Sequence, residues 1–168
     1  MRVRALIGIA AAAAALLVVA VAPSGASPGG TFKASLTGYE EVPTLSSPAT
    51  GSFEAKVGQT ETGPVIEYEL TYSDFQNDVL FAHIHLGQAA TNGGVIAFLC
   101  GGGDKPACPD PGGTVTGTID AADVIGPASQ GIAATEIQEA IDAMNAGVVY
   151  ANVHTNVFPG GEIRGQLS

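Results

Sequence analysis

Residues 79–86 read VLFAHIHL, and residues 149–154 read VYANVH. In the first stretch Ile84 and Leu86 point one way while His83 and His85 point the other. In the second, Val149, Ala151 and Val153 share one face, and Tyr150, Asn152 and His154 share the opposite face. Side chains that change face at every residue mark β-strands with one face turned to an apolar core. Residues 162–167, EIRGQL, repeat the pattern, with Ile163 and Leu167 opposing Glu162, Arg164 and Gln166.

The same alternation extends outward along the chain. Phe32, Ala34 and Leu36 form one apolar set, and Phe53, Ala55 and Val57 a second. Ile66, Tyr68, Leu70 and Tyr72 form a third after Pro64, and Val95–Leu99 and Thr114–Ile119 supply two further strands. One helix is expected over Glu136–Ala146. Thr135 and Gln138 would make its capping box, Ile137, Ile141 and Met144 its apolar stripe, and Gly147 its stop. The 168 residues include 23 Gly and 10 Pro, and only 13% are charged, which favours many turns over a helical bundle. The fold class predicted is all-β: an antiparallel, Greek-key-like β-sandwich of about eight strands with one short helix.

The first residues read as an address. Arg2 and Arg4 precede an unbroken apolar run, Ala5–Ala22, and small residues follow at Ser24 and Ala26. This describes a secretory signal over residues 1–26, cleaved after Ala26, then a short linker over 27–30 and one domain over 31–168. The alternative is an uncleaved membrane anchor, because the run is just long enough to span a bilayer. After cleavage no membrane attachment is expected. Export permits disulfides. The only two cysteines, Cys100 and Cys108, flank GGGDKPA, a spacing that fits a loop-closing disulfide and not a CxxC zinc motif. A formal net charge of -10 argues against a nucleic-acid partner.

All three histidines of the chain fall on the polar sets opposite the apolar ones. Neighbouring strands lie about 4.8 Å apart and alternate residues about 6.6 Å, so three imidazoles on adjacent strands can reach one ion. His83, His85 and His154 are therefore candidate ligands of a mononuclear copper site on the outer face of a sheet. Zinc, or no metal at all, is the alternative. Two histidines with Glu162 would instead suit iron(II). Asn152 and Glu162 are candidates to orient the rings. Arg164, the only arginine after Arg4, would either attract an anion or orient a carboxylate, or else pair with Glu162 or another acid. If no ion binds, the histidines are simply outward polar residues. The scattered carboxylates do not match a calcium loop.

The segments LTGYEEVP (36–43), SPATG (47–51), AHIHLG (82–87), NGGVI (92–96) and YANVHTNVFPGGEIRGQL (150–167) resemble the CHRD domain family, first recognised in chordin. The resemblance covers nearly all of residues 31–168 and implies a secreted all-β sandwich with no fixed activity. The order of the His-x-His strand, the later His strand and the terminal Gly-Gly-x-x-Arg strand is also similar to the copper-site layout of copper/zinc superoxide dismutases. That similarity implies copper ligation by His83, His85 and His154, with Arg164 steering an anion. A fourth, bridging histidine and a zinc cluster are missing from the sequence. Three functions follow: a secreted binding module with copper, a dismutase-like copper redox enzyme, and a metal-free extracellular domain for protein interaction or adhesion.

Overall fold

Phe32, Ala34 and Leu36 point inward from β1 (Thr31–Thr37), which pairs with β2 (Thr50–Thr60). Then come β3 (Gly63–Ser73), β4 (Val79–Leu86), β5 (Gly94–Cys100), β6 (Gly113–Ile119), β7 (Val149–Thr155) and β8 (Ile163–Gln166). All eight expected strands are present, and every pairing between them is antiparallel. The computed structural model describes residues 30–168, so the expected signal, its cleavage point and the linker up to residue 29 lie outside the described residues.

The strands form one sheet in the order β5-β4-β7-β8-β1-β2-β3-β6. The sheet folds back on itself until it is nearly closed. Tyr68 on β3 donates from its hydroxyl to the carbonyl of Leu99 on β5 at 2.6 Å. Leu36, Phe53, Ile66 and Leu70 from one half meet Ile84, Ile96, Val149 and Val153 from the other in a single apolar core. Burial of these side chains is the main term holding the two halves together. The predicted all-β class, with eight strands and one helix, is what the chain forms.

The helix, α1, runs over Ile137–Asn145 and buries Ile137, Ala140, Ile141 and Met144. Its expected capping box is absent. Thr135 is in the left-handed region at φ 72, and the Glu136 carboxylate accepts from the Ala133 N–H at 2.6 Å, upstream of the helix. The left-handed backbone at Thr135 is not the extended conformation of a cap, and Gln138, assigned to the box, donates instead to the Asp142 carboxylate at 2.9 Å. The expected stop holds: Gly147, at φ 69, donates to Met144, and Val148 donates to Ala143, which closes the helix end. Cys100 and Cys108 stand as a disulfide, with Cα atoms 5.0 Å apart, and tie down the 101–107 loop. Among the described residues no helix is long and apolar enough to cross a membrane.

One expectation is corrected. The histidine face does not look outward: all seven residues of β7 are buried, and His83, His85 and His154 retain only 5%, 6% and 4% of their exposure. Alternation assigned the faces correctly, but segments outside the strands cover the second face as well.

Candidate metal centre

The register of the sheet assembles the site. Across β5, β4, β7, β8 and β1, Phe98 pairs with His83, His83 with Asn152, Asn152 with Arg164, and Arg164 with Thr37. One row along, His85 pairs with Tyr150 and Tyr150 with Gln166, and Phe81 faces His154. Residues on adjacent strands in register share a face, so the three histidines converge although His83 and His154 are 71 positions apart. One ligand atom from each lies within 4.8 Å of the others.

Hydrogen bonds set the ring tautomers. The Nδ1–H of His85 donates to the Gly93 carbonyl and that of His154 to the Pro159 carbonyl, both at 3.1 Å. Each of these rings thereby presents an Nε2 lone pair, the usual way a backbone carbonyl prepares an imidazole for a metal; without an ion, that of His154 accepts from the His83 Nδ1–H. His83 Nδ1 lies 3.1 Å from His154 Nε2. Two nitrogens at that separation, each about 2.05 Å from a shared ion, subtend roughly 100°, an angle ordinary for metal ligands. The Nε2 atoms of His83 and His85 are buried without any partner.

Packing immobilises the rings. Phe98 lies edge-on to His83 at 4.4 Å, and Phe81 packs at 5.0 Å against both His83 and His154. Tyr150 stacks on His85 at 4.8 Å with planes 4° apart, and its hydroxyl accepts from the Gly93 N–H. Arg164 on β8 lies over the same tyrosine, its Cζ 3.8 Å from the ring centroid. Since β7 runs between β4 and β8, Tyr150 stands between the histidine and the guanidinium.

Burial is the largest influence on all three titrations. It holds His83 down to about 3, with further lowering from the neighbouring His154 and His85. It brings His85 to about 4, against the hydrogen bond to Gly93 and with smaller lowering from His154 and Arg164. It brings His154 to about 4, against the bond to Pro159. The rings are therefore neutral at pH 7, the form that ligates metals.

The remaining candidate residues do other work. Glu162 neither joins the histidines nor pairs with Arg164: its carboxylate accepts from Ser47 Oγ at 2.8 Å, Thr155 Oγ1 at 2.7 Å and Asn77 Nδ2 at 3.3 Å. It is thus spent on joining three connections, which removes the two-histidine, one-carboxylate arrangement. Arg164 is not at an open mouth: it is 2% exposed and donates to the Thr91 carbonyl at 2.9 Å and to Asn92 Oδ1 at 3.3 Å. Asn152 lies beside His83 in the register, its buried Oδ1 unpartnered. A residue outside the sequence reading joins this group. Glu41 is buried, and burial raises its carboxyl to about 7 although the Arg164 charge and Asn152 pull it down. Its one mark in the sequence is its place in the LTGYEEVP segment (36–43), since a lone acid in a loop has no periodicity to reveal its burial.

A stability prediction follows for the metal-free protein. The unfolded chain protonates its histidines near pH 6.5, whereas the folded rings resist until about 3–4. Their contribution is complete above 6.5 and lost as pH falls toward 4. Glu41 opposes this, because its folded value of about 7 exceeds the ordinary 4.5, so acid relieves its buried charge. Three rings outweigh one carboxylate, and urea unfolding is expected to show about 2–4 kcal/mol less stability at pH 5 than at pH 7.5. An unchanged midpoint would mean that the rings are solvated.

The CHRD domain model matches residues 32–167. Comparison with curated proteins and with solved structures found no significant match. The match takes in every strand from Phe32 onward and all three histidines, and the chain belongs to the CHRD domain family.

Proposed function

We propose that this protein is a secreted binding module of the CHRD family that holds one copper ion between His83, His85 and His154. The carrying observation is the pair of buried, unpartnered Nε2 atoms on His83 and His85, in a cluster whose ligand atoms lie within 4.8 Å of one another. Leaving buried polar atoms unbonded costs about 1–3 kcal/mol each, and an ion removes that cost. His85 and His154 would offer Nε2, and His83 either ring nitrogen. Among divalent ions, copper is favoured over zinc because nitrogen sites follow the Irving–Williams order. Rings this deeply covered suit retention of an ion more than turnover at an open position. Export is supported by the basic and apolar N-terminal pattern and by the disulfide.

Elemental analysis of copper-loaded, desalted protein tests this reading. About one copper per chain is expected for the wild type, and under a tenth of that for His154→Ala or His83→Ala, with circular dichroism confirming that the variants fold. Equal metal in all three proteins would remove the site.

A further inference from the structure

The surroundings of the histidines say more than which ion they take. We infer that the site selects for charge and holds copper as the monovalent ion, copper(I), in preference to copper(II) or zinc(II). This rests on the copper reading above.

The first ground is electrostatic. Among the described residues no carboxylate or thiolate joins the three histidines, so the ligand set carries no negative charge. The walls are the rings of Phe81, Phe98 and Tyr150, and the cation Arg164 lies behind Tyr150. Moving an ion from water into a poorly polarisable site costs free energy that grows with the square of its charge, so a dication meets about four times the penalty of a monocation. The buried carboxyl of Glu41 is itself engaged by Arg164 and Asn152.

The second ground is coordination number. Copper(II) prefers a tetragonal set of four or more ligands. The histidines supply three; Phe98 at 4.4 Å and Phe81 at 5.0 Å from His83 offer no donor atom, and its register neighbour Asn152 offers at most one neutral amide oxygen. A filled-shell monovalent ion is satisfied by three nitrogens. Zinc(II) also has a filled shell but carries two charges, so it separates the charge argument from the geometric one.

The test is competition binding on the full mature protein. Copper(I) is titrated without oxygen against bicinchoninate, and copper(II) and zinc(II) each against nitrilotriacetate. The expected result is at least a hundredfold tighter binding of copper(I) than of either dication. For the copper couple that corresponds to a reduction potential about 120 mV above the aqueous value, at 59 mV per tenfold for one electron. Phe98→Glu, which places a carboxylate beside His83 at a half-buried position, is expected to shift the preference toward copper(II) by tenfold or more. Copper(II) bound as tightly as copper(I) would overturn the inference and leave the copper site standing. Zinc(II) bound as tightly as copper(I) would overturn the charge argument. Failure of both copper ions to bind would remove the site and this inference together.

Discussion

Arg164→Ala is expected to lower stability by about 3–5 kcal/mol, read as a fall in the urea midpoint. Arg164 is among the largest fully buried side chains. Truncation leaves a cavity, strips the Thr91 carbonyl and Asn92 Oδ1 of their donor, and removes the guanidinium from the Tyr150 face. The 88–93 segment then loses its anchor to β8. Arg164→Met separates the causes. It refills most of the volume and deletes the buried charge, so its cost should be smaller, about 1–3 kcal/mol. In both variants Glu41 should titrate still higher, because the cation that holds it down is gone. A change below about 1 kcal/mol for Arg164→Ala would mean that the segment holds without it.

Gly93→Ala is expected to be comparably damaging and to abolish metal binding as well. A methyl group at residue 93 would stand inside the carbonyl of Leu86, which is backbone and cannot swing aside. The displaced residue is the one whose carbonyl orients His85 and whose N–H meets the Tyr150 hydroxyl. Copper content below a fifth of wild type, together with a loss of about 3 kcal/mol or more, is the expected pair of results. Normal copper uptake by a destabilised Gly93→Ala would show that His85 does not need the Gly93 carbonyl.

The sequence made the strands legible because period-two patterning reports which side chains share a face. It therefore also placed His83, His85 and His154 together, along with Tyr150, Asn152 and Arg164. It did not reveal that this face is covered. Alternation says which way a side chain points and nothing of what lies above it. The cover comes from turns that read as ordinary Gly-rich loops, such as Gly93 and the Pro159 region. A hint was present in the aromatic residues Phe81, Phe98 and Tyr150, which fall on the supposedly solvent-facing side. Arg164, read as a partner for Glu162 or another acid, faces Glu41 instead, while Glu162 is held by loop atoms such as Ser47 Oγ. The capping box at Thr135 failed because the backbone there is left-handed and Gln138 donates to Asp142 instead.

The sheet order has a consequence for biogenesis. The strands synthesised latest, β7 and β8, sit between β4 and β1, so a growing polypeptide that has not reached Val149 holds two pieces that no strand pairing joins, β5-β4 and β1-β2-β3-β6. Up to that point a ribosome-bound chain has His83 and His85 but not His154. The full three-histidine set, and with it the copper site proposed above, is thus complete only once synthesis has passed His154 and β7 and β8 have bridged the two pieces.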